Sequence, residues 1–276
     1  MPQTILVLLR RPDEAEPLLG VGASLAANMG GARINALAVR ETVQTALVGA
    51  AALVGRAEAL LMARDDERRR VAVLHASFDD WSAAAGQYAR DAHWFEAEGD
   101  TTDIVAEWGR RADVIVTGRP HPEDRLGRQA FRVALLGTDR PILMVPPRAT
   151  AAGAAAFGRC IAIAWRDEKQ SLRVVLPALR CLKGAEQLHV LMGVRNGRQR
   201  PSLPSVFAEH GLTARLHVLA AGPEPFGQML LETVHRLSAD LLIMGAYAHS
   251  PLGELILGGV TRHVLDHGDM PVLMRH

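Results

Sequence analysis

Apolar positions along the chain gather into short, nearly continuous runs: "ILVLL", "INALAV", "VIVTG" and "PILMV" in the first half, then "IAIAW", "LHVLM", "LLIMG" and "PVLM" in the second. Runs of this length without polar alternation read as strands buried on both faces. Between them the spacing changes to that of amphipathic helices. Leu172, Val175, Leu176, Leu179 and Leu182 follow i, i+3, i+4, i+7, as do Phe226, Met229, Leu230, Val234 and Leu237. Alternating strands and helices require parallel crossovers of one hand, which predicts a doubly wound α/β sheet in each half. The first half carries additional helical material, Ala51 to Ala85, in which the mixed charges of "RDDERRR" at 64–70 read as a solvated helix face.

Three blocks recur in the same order. "TILVLLRRPDEAE" is echoed by "CIAIAWRDEKQSL", "ADVIVTGRP" at 112–120 by "ADLLIMGAY" at 239–247, and "RPILMVP" at 140–146 by "MPVLMRH" at 270–276. The repeat unit of about 130 residues is a whole domain, far longer than a solenoid repeat. The Pro-, Ala- and Gly-rich segment around 148–158 reads as a linker, so the expected organisation is one domain over 1–147 and a second over 159–276. Each half ends in an apolar strand, and an exposed apolar edge invites pairing. The two final strands, 141–145 and 271–274, are therefore expected to meet and make an intramolecular pseudo-dimer with an approximate two-fold axis.

Composition narrows the function. Apolar residues make up 49% and charged residues 22%, enough for a core in each half, while aromatics at 4% imply an aliphatic interior. A formal net charge of +1 provides no field to attract nucleic acid or an anionic membrane, and neither is expected as a partner. Cys160 and Cys181 are separated by 21 positions with no CxxC and no His at ligand spacing, so reduced thiols rather than a disulfide or zinc site are expected. The opening "MPQTILVLLRRP" is too short and lacks the basic start of a signal peptide, and no apolar stretch reaches membrane-spanning length, so a cytoplasmic location is expected.

The chemistry concentrates after "ADLLIMG". Gly245 lets the backbone turn at a strand end, and Gly258 and Gly259 precede "VTRHVL", where helix-start amides offer unpaired donors to an anion. With its duplicated halves, "ADLLIMGAY", and "HSPLGELILGGVTRHVL" followed by "MPVLM", the chain resembles a tandem universal stress protein over nearly its whole length. The resemblance implies two Rossmann-like domains of the adenine nucleotide alpha hydrolase kind, each a five-stranded parallel sheet of order 3-2-1-4-5, paired through the fifth strands. It also implies a stress-response role exercised by binding rather than catalysis.

ATP-binding members of that family carry Gly, two residues, Gly, nine residues, then Gly followed by Ser or Thr, with an Asp at the tip of the first strand. Here those places fall on Gly245, Ala248, Gly258 and Gly259, with Val260 and Thr261 following. In the first half they fall on Gly118, His121, Phe131 and Arg132, so little of the pattern remains. Arg10 and Arg166 stand where the Asp belongs, and an arginine has five donors and no acceptor to offer a base or ribose. Asp167 is adjacent but offset by one residue. The site is thus expected to be lost in the first half. In the second, two alternatives compete with a pure protein-interaction role: an adenine-nucleotide sensor or slow ATPase built on Gly245 to Thr261, and a small-anion or acidic-metabolite binder through Arg166, whose planar fork suits phosphate or carboxylate. ATP is the one cofactor the resemblance suggests; the partner is an unidentified protein, with further homodimerisation open.

Other constellations carry less. His263 and His267 share a helix face but have no third metal ligand in the sequence. His249 and Ser250 have no acid to complete a relay, so no catalytic residue is assigned. Arg195, Arg198 and Arg200 read as a solvated loop near the crevice, His121 as turn support, and Glu96, Glu98 and Asp100 as turn and cap residues.

Overall fold

A computed structural model describes residues 3–42, 56–147, 158–166, 168–178, 184–194, 201–220, 225–246 and 258–276. The chain divides into two compact units, Met1–Arg140 and Pro141–His276. In the first, strands β1 (Thr4–Leu9), β2 (Arg33–Glu41), β3 (Ala92–Gly99) and β4 (Val114–Gly118) lie in the order β3-β2-β1-β4. All of its pairings given by register are parallel: Ile5 beside Ile34 and Val114, Leu37 beside Phe95. Helices α1 (Pro12–Asn28), α2 (Arg56–Ala85), α3 (Thr101–Arg111) and α4 (Arg125–Gly137) make the crossovers and cover the sheet. Ile5, Val7, Ile34, Ala36 and Ile115 are at most 1% exposed, which is the doubly covered core that the unbroken apolar runs predict.

The second unit opens with β5 (Ile142–Val145), which pairs antiparallel with the last strand, β10 (Val272–Arg275), through Leu143 opposite Leu273. The two terminal apolar strands thus meet. This pairing draws β5 into the second unit. Strands β6 (Cys160–Trp165), β7 (Gln187–Val194), β8 (Arg215–Ala220) and β9 (Leu241–Gly245) complete it in the order β5-β10-β9-β6-β7-β8, and all pairs except β5 with β10 are parallel. The helices are α5 (Glu168–Ala178), the short α6 (Ser205–Glu209), α7 (Phe226–Arg236) and α8 (Gly259–His267).

The repeated Ala-Asp dipeptide has a mechanical reason. Asp113 precedes β4, and its Oδ2 accepts the Thr4 amide at 2.8 Å while its own amide donates to the Thr4 carbonyl at 2.8 Å. Asp240 precedes β9 and accepts the amides of Gly158, Arg159 and Cys160 at 3.0–3.2 Å, its own amide donating to the Cys160 carbonyl. One carboxylate in each unit ties the start of the fourth strand to the start of the first, satisfying donors that lie beyond the ladder.

Helix α5 departs from the spacing-based expectation. Its buried face is Ser171, Val174, Val175 and Ala178, while Leu176 is 45% exposed. The rotation follows from Ser171, whose Oγ accepts the Arg166 amide at 3.1 Å and anchors the first turn inward. In α7 the predicted stripe holds, with Leu230 and Val234 fully buried. In the first unit aromatics cluster around β3, where Trp94 packs on His75 and Phe78, and Phe95 on Trp108; in the second, Trp165 packs on Phe207.

Candidate functional site

In an open α/β sheet the order of strands reverses at one point, and the crevice beyond the carboxyl ends there is where ligands bind. That point lies between β1 and β4 in the first unit and between β6 and β9 in the second.

The first crevice is filled by the chain's own charges. Arg10, at the tip of β1, donates from Nε to both oxygens of Asp124 at 2.9 and 2.8 Å. Asp124 is the N-cap of α4, and its Oδ1 also accepts the Gly127 amide at 2.9 Å. Burial pushes the Asp124 carboxyl up, but the Gly127 amide and Arg10 together hold it below its ordinary value. A carboxylate paired with an arginine therefore sits at the helix start, on the Gly127 amide, where an anion would otherwise be attracted. Behind it, Glu14 from α1 lies over the end of β4, so close that a side-chain carbon on Gly118 would come within 2.5 Å of its Oε2. Burial raises the Glu14 carboxyl, with Asp13 and Asp124 adding to the effect and Arg11 opposing it. Arg70 of α2 closes the neighbouring strand ends, donating to the carbonyls of Arg10 at 2.9 Å and Val39 at 2.6 Å while its fork holds Glu67.

The second crevice begins the same way and ends differently. Arg166 follows β6 with an exposed side chain, its amide tied to Ser171. Gly245 closes β9 exposed, and among the described residues a side chain there would meet nothing within 4 Å. Helix α8 starts at Gly259 with Gly258 as its N-cap, and among the described residues no side chain caps it. Gly258 is half-buried, Gly259 exposed, Val260 half-buried, and Thr261 only 4% exposed on the packed side with Val264 and Leu265. The amides of Gly259, Val260 and Thr261 precede the first helical acceptor bond, from Arg262 to the Gly258 carbonyl at 3.0 Å, so among the described residues they have no helical acceptor.

The structure brings Arg166, Gly245, Gly258 and Gly259 to the carboxyl-end side of one sheet. Ala248 lies outside the described residues, as do His249, Ser250, Asp167, Cys181, Arg195, Arg198 and Arg200. In the first unit, Phe131 and Arg132 fall well inside α4 rather than at its start, because that helix begins at Arg125. Phe131 is buried in the core and Arg132 points to solvent, so neither offers a helix-start amide. His121 builds the turn ahead of α4, its Nδ1 3.3 Å from the Glu123 amide and its carbonyl accepting from Asp124 and Arg128. Asp100 caps α3 through the Thr102 amide at 2.7 Å. His263 and His267 stack with ring centroids 4.3 Å apart, and His267 Nδ1 bonds the His263 carbonyl. Among the described residues no group of three or more His, Cys, Asp and Glu is placed to hold a metal, and no helix is long and apolar enough to cross a membrane.

Sequence reasoning missed Asp124 and Arg70. An Asp directly before a helical run is an N-cap signature that could have flagged the first. The second was hidden in a charge run whose other arginines behave as expected, Arg68 and Arg69 making exposed i,i+3 pairs with Asp65 and Asp66.

Residues 208–276 match the universal stress protein family. No curated protein matches the chain. Among solved structures, a universal stress protein from Archaeoglobus fulgidus DSM 4304 superposes with a TM-score of 0.65 at 13% identity, covering 99% of this chain and 97% of its own. A candidate universal stress protein from Pseudomonas aeruginosa UCBPP-PA14 gives 0.62 at 18% identity, with 99% and 93% covered. A functionally unknown protein from Pseudomonas aeruginosa PAO1 gives 0.57 at 16% identity, with 99% and 92% covered. At these identities the superpositions speak for the fold, while the family match speaks for the sequence of residues 208–276. The chain thus has two α/β units, and residues 208–276 of the second are similar in sequence to the universal stress protein family.

Proposed function

We propose that this protein serves a stress response as a cytoplasmic two-unit binding protein rather than an enzyme, that its first unit takes no nucleotide, and that any phosphate-bearing ligand, ATP included, is held by the second unit alone. The observation that carries the reading is the contrast between two helix starts. Asp124 caps α4 and is neutralised by Arg10, whereas α8 begins at Gly258 with no side-chain cap. A phosphate approaching the first crevice meets the carboxylates of Asp124 and Glu14, and the Gly127 amide is already taken by Asp124. In the second it meets the amides of Gly259 and Val260, with the Arg166 fork exposed at the end of β6. Thr261 contributes its amide only, since its side chain is buried.

The uncapped start of α8 is also the specific observation that favours the nucleotide-sensor reading over a pure protein-interaction role. A thermal-shift titration with Mg-ATP tests the proposal. A ligand at 100 times its dissociation constant stabilises by about 2.7 kcal/mol, a rise of several degrees. We expect a rise in the wild type that is lost in Gly258→Val and reduced in Arg166→Ala. A rise unchanged in Gly258→Val places the ligand elsewhere and overturns the assignment to the second unit.

A further inference from the structure

A pair of histidines lies beneath α7 in the second unit, away from either crevice chemistry. His189 of β7 and His217 of β8 approach Nδ1 to Nε2 at 3.0 Å, their rings 5.0 Å apart and inclined at 61°. His189 is 2% exposed, and its other ring nitrogen, Nε2, is buried with no hydrogen-bond partner. The charged groups facing the pair are cationic: Arg215 from β8 and Arg236 from α7, the latter donating to the buried Thr233. From the other side β6 presents Ala162, beside His189 in the parallel register, with Ala164 and Cys160 on the same face, the Cys160 thiol donating to the Leu237 carbonyl.

Counting protons shows what this arrangement tolerates. The 3.0 Å contact holds one hydrogen between Nδ1 of His189 and Nε2 of His217, so the neutral pair has one further proton to place. Put on His217 Nδ1, it leaves His189 Nε2 as a bare lone pair, the cheaper form of an unpartnered buried atom. Adding a third proton while keeping the contact puts it on His189 Nε2, which becomes a buried, unpartnered N–H on a cation. Adding a fourth sets two N–H groups against each other and abolishes the bond. We infer that the His189–His217 contact is an acid-sensitive latch that fastens the terminal strand β8 to β7 at neutral pH and releases it when the pair takes up protons. Burial lowers both imidazoles, and the neighbouring positive groups lower them further, in the same direction as the geometric argument. The two arginines also weigh against the competing use of two convergent imidazoles, a divalent cation site, since they would repel the ion.

The sign of the pH effect follows. With folded pKa values below the ordinary 6.5, the opened segment binds protons that the closed one does not, so closure is fully favoured above about pH 6.5 and is lost as pH falls through the folded values. Two imidazoles released from the latch would raise the opening equilibrium up to about 100-fold between pH 7.5 and 5.5. Amide hydrogen exchange of the full chain, corrected for intrinsic rates, reads this directly. We expect residues 216–220 to open tens-fold more at pH 5.5 than at 7.5 relative to β6, and His217→Gln to flatten that dependence. Nuclear magnetic resonance titration of the wild-type imidazoles keeps the test independent of the variant's folding: both rings should titrate below 6.5. Titration at or above 6.5, or β8 exchange that does not change with pH, overturns the latch. Stabilisation of the wild type by zinc ion that His217→Gln abolishes would overturn it in favour of a metal site.

Discussion

At the scale of the residue, the decisive contact is Arg10 with Asp124. Both are largely shielded, with side chains 25% and 19% exposed, so their pairing is less screened than a surface ion pair and is reinforced by the Gly127 amide. Replacing an N-cap Asp by Ala costs about 0.5–2 kcal/mol, and here the substitution also strands Arg10. Asp124→Ala should therefore lower stability at pH 7 by about 1–2 kcal/mol in urea unfolding. Because the folded carboxyl lies below its ordinary value, its contribution is present above about pH 4 and fades as pH falls through the folded value, so wild type and variant should converge in acid. Equal stability at pH 7 would show that the cap contributes nothing. Neither residue's partner was legible in the sequence: Arg10 and Asp124 stand 114 positions apart, and only the return of β4 beside β1 brings them together. The aspartate missing from the strand tip, by contrast, could be read directly.

Among the elements, helix packing depends on small residues at close approach. In α7 a side-chain carbon on Gly227 would meet His263 Cβ of α8 at 2.7 Å, closer than such atoms approach one another. Gly227→Ala gains up to about 1 kcal/mol of helix propensity, yet overpacking a rigid contact costs about 1–3 kcal/mol. The net expectation is a destabilised protein with a melting temperature lower by a few degrees, measured calorimetrically; a raised melting temperature would mean the two helices part freely. Strand positions were legible because fully covered strands leave unbroken apolar runs. The inner face of α5 was not, since Leu172 and Leu176 share a stripe with the truly buried Val175, and only the Ser171 bond to Arg166 decides the rotation. The charge run at 64–70 of α2 reads as a solvated face, which holds for Asp65, Asp66 and Arg69 but not for Arg70, whose fork reaches two strand-end carbonyls.

For the molecule, duplication kept the structural parts of the repeat and let the crevices diverge. Asp113 and Asp240 perform the same strand-start duty, while the helix after the fourth strand begins with a self-supplied carboxylate in one unit and with glycine in the other. The duplication and the pairing of the terminal strands were legible from recurring blocks and apolar edges. The closure of the first crevice was not, because it is made by residues from α1, α2 and the start of α4 that no local pattern connects. The most direct test of the account is the stoichiometry of nucleotide binding by equilibrium dialysis of the full chain with a non-hydrolysable ATP analogue, beside Gly258→Val. The account predicts no more than one nucleotide per chain and none retained in Gly258→Val; two per chain, or binding that survives Gly258→Val, would contradict it.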